Sequence, residues 1–325
     1  MSSALPVLIT GATGKQGGAT ARKLLAEGHP VRALVRDPAA PAARALAEAG
    51  ARLAIGDFDD PASLRTAAAG TRAVFLIPPA EYRSTGWTAE DEARRGIAML
   101  DAARATGVEQ IVFSGIATMG PADSWGQDGK RRIEDAIHAS GLRYTLLRPV
   151  RFMENYLLEG SPVDGVRANG EHPHLFPADR PLQMIALADI AVFAALALAD
   201  PESWHGRALE LAGDAITPVD AAAAISTATG RTIRYREVTE AEAEAIGPHL
   251  GNTWRLIRES GGWQADLPAL RELYPRLTSL SEWLSSGGAA RILARLEDST
   301  PVARAPAGHC HADPPDRADH CRTVA

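Results

Sequence analysis

Short runs of aliphatic residues alternate with longer segments rich in alanine and leucine over the first 150 residues of the chain. The short runs predict strands at Pro6–Thr10, Val31–Arg36, Arg52–Ile55, Ala73–Ile77, Gln110–Ser114 and Arg143–Leu147. The longer segments predict helices at Lys15–Glu27, Ala39–Ala49, Pro61–Ala69, Ala89–Ala105 and Gly129–Ala139. This alternation indicates βαβ units, and the strands are apolar throughout, as strands covered on both faces must be. The predicted fold class is therefore α/β, with a doubly wound parallel sheet.

The pattern becomes less regular after Pro149 and predicts a smaller C-terminal α/β lobe. We expect a helix at Arg151–Leu158, a loop-rich insert at Ser161–Arg180, strands at Leu182–Leu187, Ala208–Leu211 and Thr232–Val238, and helices at Ala188–Ala199, Pro218–Thr229 and Ser279–Leu284. Thr217 is a suitable N-cap for the helix that begins at Pro218, because its hydroxyl can accept a hydrogen bond from the first turn.

These patterns divide the 325 residues into three parts. We expect a first domain at residues 1–155, a smaller lobe at 156–298 and a tail at 299–325. Residues 182–205 are expected to pack back onto the first domain. The tail is rich in Pro, Ala, His and Asp and shows no periodicity, which predicts that it is disordered.

Composition and charge exclude several classes of protein. The chain has 34 Lys and Arg against 40 Asp and Glu, a net charge of −6, which argues against a direct nucleic-acid binder. The two cysteines, Cys310 and Cys321, both lie in the tail, so the fold does not depend on disulfides. The most apolar stretch, Met184–Ala199, contains Asp189 and is shorter than the ~20 residues needed to span a bilayer. Because no signal-like segment precedes Gly11, we expect a cytoplasmic protein without membrane attachment.

A glycine-rich segment joins the first predicted strand to the first predicted helix. It contains Gly11, Gly14 and Gly17, interleaved with Thr13, Lys15 and Gln16. In this context the first glycine permits a tight turn, the second lets the backbone approach a pyrophosphate, and the third lets the helix pack closely on the sheet. The N–H groups at the helix start then face the phosphates. The segment predicts a Rossmann-type dinucleotide site formed by all six of these residues.

The end of the second predicted strand indicates which dinucleotide is bound. Sites selective for NAD place an acidic residue about 20 residues beyond the glycines, on the ribose 2′-hydroxyl. This chain has Arg36 at that place, and a guanidinium can bind a 2′-phosphate. Lys15 can add a second positive charge, whereas Asp37 could pair with Arg36 or accept from a ribose. NADP(H) is therefore the expected cofactor, in preference to NAD(H).

Several further motifs, taken in order, resemble the NmrA-like branch of the atypical short-chain dehydrogenase/reductases. The resemblance covers residues 5 to 285 and rests on the glycine segment, Arg36, Gly56-Asp57-Phe58, Phe75-Leu76-Ile77-Pro78-Pro79, Val112-Phe113-Ser114-Gly115, Gly129-Lys130, Leu147-Arg148-Pro149, Phe152-Met153-Glu154-Asn155 and Ala188-Asp189-Ile190-Ala191. It implies that further residues contact the cofactor: Asp57 and Phe58 beside the adenine, Ile77 and Pro78 along its length, Lys130 on the nicotinamide ribose, and Phe152 and Asn155 at the nicotinamide end.

One departure from the family pattern bears on catalysis. Active short-chain dehydrogenases carry a tyrosine one helical turn before the lysine, and here that position is Gly126. The resemblance leaves two outcomes open. The first is an NADPH-dependent oxidoreductase that transfers hydride to a small quinone-like or conjugated acceptor, with Lys130 and Ser114 as catalytic residues. The second is a non-catalytic NADP(H) sensor that binds a regulatory protein partner, and a homodimer is compatible with both.

Other candidate residues carry weaker expectations. The sequence Lys130-Arg131-Arg132 could instead form a solvated helix face. His172 and His174 could face a substrate, but in a loop of this composition they are expected at the surface. Tyr82 and Trp87 could cover the pocket or pack in the core. The His and Cys residues of the tail have a spacing that fits no zinc module, so we predict no metal site.

Overall fold

The computed structural model describes residues 5–79, 88–120 and 127–298. Twelve strands are assigned in these ranges: β1 Val7–Ile9, β2 Val31–Val35, β3 Arg52–Ile55, β4 Ala73–Leu76, β5 Gln110–Ser114, β6 Arg143–Pro149, β7 Arg151–Phe152, β8 Glu171–His174, β9 Leu182–Ile185, β10 Arg207–Leu211, β11 Asp214–Ile216 and β12 Arg234–Glu237. The helices are α1 Lys15–Ala26, α2 Pro41–Glu48, α3 Pro61–Ala68, α4 Ala89–Ala105, α5 Asp128–His138, α6 Leu187–Ala199, α7 Pro201–Trp204, α8 Pro218–Thr229, α9 Glu240–Ile246, α10 Pro248–Ser260, α11 Leu267–Leu273, α12 Leu280–Trp283 and α13 Ala289–Asp298.

The largest sheet has seven parallel strands in the order β10-β6-β5-β4-β1-β2-β3. Leu8 of β1 lies between Arg32 of β2 and Val74 of β4, which places the change of winding direction at β1. The predicted fold class is confirmed: the sheet is parallel and helices cover both of its faces. In an open sheet of this kind, ligands bind at the carboxyl ends of the strands beside the winding change.

Separate apolar clusters cover the two faces of this sheet. On one face α1 packs against α6, and α6 is apolar along almost its whole length because it is buried between α1 and the sheet. On the other face α3, α4 and α5 pack side by side through residues such as Leu64, Met99 and Ile133. A third cluster fills the C-terminal part, around Tyr156, Phe176 and Trp283.

Two short sheets lie outside the large one, and they correct the sequence expectations. β7 pairs with β9, and β9 with β11; β8 pairs with β12. The segment Arg151–Leu158 was expected to be helical, but Phe152 pairs with Ile185 in a strand and only Met153–Leu157 forms a 3₁₀ turn. The expected loop also contains β8. Both errors have one cause, since strand partners distant in sequence overrode the local propensity.

The N-cap expected at Thr217 is confirmed. Its side chain accepts a hydrogen bond of 3.1 Å from the backbone N–H of Asp220, and Pro218 occupies the first turn of α8. In the described ranges, no helix combines the length and the apolarity required to cross a bilayer.

Candidate functional site

The glycine segment forms a tight turn between β1 and α1. Gly11 has a φ of +57°, and its carbonyl accepts a hydrogen bond of 2.9 Å from the N–H of Gly14. A Cβ on Gly17 would overlap the carbonyl oxygen of Gly11 and lie 2.6 Å from that of Thr10, so only glycine lets α1 approach β1 this closely. Gly14 caps α1 without a side-chain hydrogen bond, which leaves the first N–H groups of the helix facing the cleft.

Thr10 holds the glycine segment against the loop that follows β4. Its Oγ1 accepts a hydrogen bond of 2.8 Å from the N–H of Ile77, and it lies 3.1 Å from the Ile77 carbonyl oxygen and 3.2 Å from that of Phe75. Thr10 is completely buried, so these bonds are shielded from water. The loop containing Ile77 and Pro78 is thereby fixed beside the phosphate-binding turn.

A first cavity of about 360 Å³ opens over this turn. Its lining contains the sequence-predicted residues Gly11, Thr13, Gly14, Lys15, Gln16, Gly17, Arg36, Asp57, Phe58, Ile77, Pro78 and Phe152. They come from the loops after four neighbouring strands, β1 to β4, together with β7. These twelve sequence-predicted positions therefore converge on one cavity at the carboxyl edge of the sheet.

The charges around the first cavity are arranged in two groups. Arg36 is exposed at the end of β2, and Asp37 accepts a hydrogen bond of 2.8 Å from the N–H of Ala39.

Arg95 of α4 also lines the cavity and holds Asp59 through contacts of 3.0 and 2.6 Å. Hydrogen bonds from Arg95 and then Arg94 lower the pKa of Asp59 to about 2. Sequence reasoning missed Arg95, since nothing local to α4 distinguishes it from other helical arginines.

A second cavity of about 540 Å³ continues from the first and shares Gln16, Ile77, Pro78 and Phe152 with it. Ser114, Lys130 and Asn155, the remaining sequence-predicted site residues, all line this second cavity. The Ser114 hydroxyl donates a hydrogen bond of 2.6 Å to Oε1 of Gln16, which joins the end of β5 to the start of α1. The two cavities form one continuous cleft.

Lys130 projects into the cleft and not into solvent. Its Nζ lies 2.5 Å from Oε1 of Glu92 on α4, and the Glu92 side chain has no exposed surface. Burial raises the pKa of Glu92, and the nearby Lys130 partly opposes that rise.

The neighbouring Arg131 and Arg132 pair with Asp128 and Glu90 at the surface. The alternative of a solvated helix face therefore holds for the two arginines but is wrong for Lys130. The buried partner Glu92 was not identified from the sequence.

His172 and His174 were expected at the surface, and this expectation is wrong. They are only 1% and 8% exposed, and they lie on β8, where β12 and the apolar cluster around Tyr156 cover them. Both face the buried carboxylate of Asp164, whose Oδ1 is 3.2 Å from Nε2 of His172 and whose Oδ2 is 3.7 Å from Nε2 of His174. His174 and Asp164 also line the second cavity.

Trp263 forms a further wall of the second cavity. It follows Gly261 and Gly262, which have φ values of +77° and +87° and end α10 in a turn. The turn stacks Trp263 on Phe176 with ring centroids 5.3 Å apart. The glycine pair permits the turn, and the partner of the tryptophan depends on the tertiary fold.

Several predicted features lie outside the described residues: Gly126, which replaces the family tyrosine, Tyr82, Trp87 and the tail with Cys310 and Cys321. Across the ranges that the structure describes, no group of three or more His, Cys, Asp or Glu residues is arranged to hold a metal ion.

Residues 4–284 match the model of the NmrA-like family. The chain belongs to the NmrA-like family. It is 30% identical to an NAD(P)H azoreductase of Xenophilus azovorans, over 75% of this chain and 81% of that protein. It is 31% identical to quinone oxidoreductase 2 of Escherichia coli, over 75% and 82% of the two chains.

The solved structures agree with this assignment. A crystal structure of an NADPH-dependent quinone oxidoreductase from Escherichia coli, complexed with NADPH, superposes with a TM-score of 0.70. It is 28% identical in sequence, and the match covers 86% of this chain and 99% of that one. The family expected from the sequence motifs is therefore confirmed.

Proposed function

We propose that this protein is an NADPH-dependent oxidoreductase that reduces a small quinone-like or conjugated acceptor. The observation that carries the proposal is the continuous cleft at the carboxyl edge of the sheet. One end has the glycine turn and Arg36, and the other has Ser114, Lys130 and an aromatic wall. The cofactor, when bound, supplies a hydride. The second cavity is within the usual size of small-molecule sites and receives the acceptor.

The residues of the first cavity fit such a cofactor. The uncapped start of α1 offers N–H groups to the pyrophosphate, and the close packing at Gly17 brings those groups to the end of β1. In this proposal Arg36, which lines the first cavity, binds the 2′-phosphate, and Asp57 and Phe58 lie beside the adenine. Ile77 and Pro78 line the junction of the two cavities. Phe152 and Asn155 then contact the nicotinamide end.

Lys130 and Ser114 handle protons in this proposal. Glu92 holds the lysine at the second cavity, where the ammonium can contact the nicotinamide ribose and give a proton to the reduced acceptor. Ser114 donates its own proton to Oε1 of Gln16, which leaves its oxygen lone pairs free to accept a hydrogen bond from the ammonium or water that protonates the reduced acceptor. Residues 1–155 with 182–205 would bind the cofactor, and residues 156–298 would close over the acceptor.

A non-catalytic NADP(H) sensor is the second candidate, and Gly126 favours it because the tyrosine acid is missing. A sensor must bind the reduced and oxidised cofactors with different affinities, or bind a partner only in one of those states.

The deciding experiment follows NADPH absorbance with a panel of quinones, enones, imines and aldehydes, alongside equilibrium titrations with NADPH and NADP⁺. The enzyme predicts oxidation of NADPH by at least one acceptor. Tight NADPH binding without turnover across the panel would contradict the enzyme proposal. A difference between the two cofactor affinities would then support the sensor.

Replacement of Arg36 by alanine is expected to weaken NADPH binding about 10- to 100-fold, because one charge-assisted contact to the 2′-phosphate is lost. NADH lacks that phosphate, so its affinity should change little. Fluorescence titration with both cofactors measures the difference. Arg44→Ala on α2 is the matched control, since Arg44 is also exposed but does not line the cleft. Equal effects on NADPH and NADH would rule out a 2′-phosphate contact.

Replacement of Lys130 by methionine is expected to lower kcat about 100-fold, the usual size of a lost proton donor. The variant also leaves the buried Glu92 without its cation, so Glu92→Gln combined with Lys130→Met is the control that removes this charge. Both variants should lose turnover, while the double variant regains stability in thermal unfolding. The proton role is refuted if Lys130→Met leaves both turnover and NADPH affinity unchanged.

A further inference from the structure

A buried ion pair lies beneath the second cavity, and it has no part in the cofactor binding or proton transfer proposed above. Arg151 contacts Asp164 at two points, with Nε 3.1 Å from Oδ2 and Nη2 2.5 Å from Oδ1. Both residues are less than 10% exposed. The opposite charges cancel, so this cluster offers an incoming ligand no net charge.

The hydrogen bonds of His174 fix which of its ring nitrogens carries the proton. Nδ1 accepts a hydrogen bond of 3.3 Å from the backbone N–H of Phe176, so in the neutral ring the hydrogen is on Nε2. Burial lowers the pKa of His174 to about 3, and the ring is therefore neutral at physiological pH. Nε2 lies 3.7 Å from Oδ2 of Asp164, beyond normal hydrogen-bonding distance. Its N–H can therefore donate to a ligand in the cavity.

Asn155 provides a second donor on the same side of the cavity. Its Nδ2 lies 3.3 Å from Oδ2 of Asp164, the oxygen that His174 also faces. An amide nitrogen has two hydrogens, so one N–H can remain on Asp164 while the other reaches a ligand. Both side chains line the second cavity.

The walls around these two donors are aromatic. Phe152 lies at the junction of the two cavities, and Trp263 stacks on Phe176. Flat aromatic walls with two neutral N–H donors suit a planar, uncharged ligand that presents an oxygen acceptor. Among the described residues, the two carboxylates that line this cavity are each paired with a cation, Asp164 with Arg151 and Glu92 with Lys130, so a cationic ligand meets no unneutralised negative charge.

We propose that Nε2–H of His174 and Nδ2–H of Asn155 together bind the carbonyl oxygen of a planar quinone and stabilise the negative charge that develops on it. This inference rests on the proposed oxidoreductase function. The acceptor gains a hydride, supplied by NADPH that becomes NADP⁺, and its carbonyl electron pair moves onto oxygen. That oxygen then takes one proton from Lys130 or water. His174 and Asn155 keep their protons, and Arg151 and Asp164 are positioning residues.

The test removes each donor while keeping the shape of the side chain. His174→Phe and Asn155→Leu are each expected to lower kcat for a quinone about 100-fold, the lower end of the effect of losing one oxyanion donor. For His174→Phe, NADPH affinity should stay within a factor of about two of the wild type, because His174 lines only the second cavity and has no role in cofactor binding. His174→Gln keeps an acceptor for Phe176 and an N–H donor, and is expected to recover most of the activity.

A binding measurement separates this inference from the proposed function, because it needs no turnover. We expect the NADP⁺ complex to bind 4-nitrophenolate more tightly than neutral 4-nitrophenol, as measured by the phenolate absorbance during titration. His174→Phe and Asn155→Leu should abolish that preference, whereas His174→Gln keeps it. The inference is overturned if folded His174→Phe and Asn155→Leu both retain the wild-type preference and quinone kcat. Phenolate selectivity without quinone turnover would support the donor pair and contradict only the proposed reaction.

Discussion

Replacement of Asp164 by alanine is expected to lower the free energy of unfolding by about 3–5 kcal/mol. The substitution leaves the guanidinium of Arg151 without a partner carboxylate, and Arg151 is only 5% exposed. The N–H groups of Asn155 and His172 lose an acceptor as well. Chemical denaturation monitored by tryptophan fluorescence measures the change.

Two controls test whether the unpaired buried charge causes this loss of stability. The double variant Arg151→Met/Asp164→Leu removes both charges and should recover most of the stability, since a buried ion pair can be replaced by apolar residues. Glu202→Ala breaks an exposed pair with Arg143 and should cost less than about 1 kcal/mol. A loss below about 1 kcal/mol for Asp164→Ala would show that the Arg151–Asp164 pair does not hold the fold.

The same carboxylate should leave a signature in the pH dependence of stability. Burial alone would raise the pKa of Asp164, but Arg151 and His172 outweigh it and hold that pKa well below the ordinary value of 3.8. A carboxylate with a depressed folded-state pKa stabilises the protein above its unfolded pKa, and the contribution is lost as the pH falls through the folded value. The stability difference between wild type and Asp164→Asn should therefore be constant from pH 7 to about 5 and shrink below about pH 4. A difference that does not shrink in acid would contradict this assignment.

Replacement of Gly17 by alanine is expected to raise the Kd for NADPH about 100-fold and to cost about 3 kcal/mol of stability. The new Cβ would meet the backbone of Gly11 and Thr10, which cannot move aside as a flexible side chain could. The start of α1 must therefore shift, and its N–H groups leave the pyrophosphate position. Fluorescence titration and thermal unfolding measure the two effects.

Gly14→Ala is the matched comparison for Gly17→Ala. A Cβ at Gly14 would lie 3.2 Å from the carbonyl oxygen of Gly11, a tight contact that small shifts can relieve. We expect this variant to keep its stability within about 1 kcal/mol while it loses NADPH affinity, because it occupies the place where backbone meets phosphate. If Gly17→Ala bound NADPH as the wild type does, the proposed position of the pyrophosphate would be wrong.

The sequence predicted the parallel sheet closely because each of its elements has a strong local pattern. The bounds of β3, β5 and α4 agree with the prediction at both ends, and those of β1, β2 and β4 agree within one residue. Strands buried on both faces must be apolar throughout, and their helices must be long enough to cross back over the sheet. The glycine turn was predictable for a similar reason, since three glycines at this spacing satisfy one backbone requirement each.

Local patterns failed where an element depends on a distant partner. Arg151 and Phe152 lie in a strand because Arg151 pairs with Met184 and Phe152 with Ile185. His172 and His174 are polar residues in a segment rich in Gly and Pro, which is typical of a surface loop. Their burial depends on β12, about 60 residues later in the chain.

The amino-acid sequence by itself determined the α/β class, the position of the phosphate turn and the cation at Arg36, because periodicity, glycine placement and charge at a strand end are properties of short segments. Only the tertiary structure decided that Lys130 forms an ion pair with Glu92 and that Ser114 donates a hydrogen bond to Gln16. It also decided that two histidines face Asp164 beneath the second cavity. Each of these contacts joins residues from different elements, and their energies depend on burial that no short segment can specify.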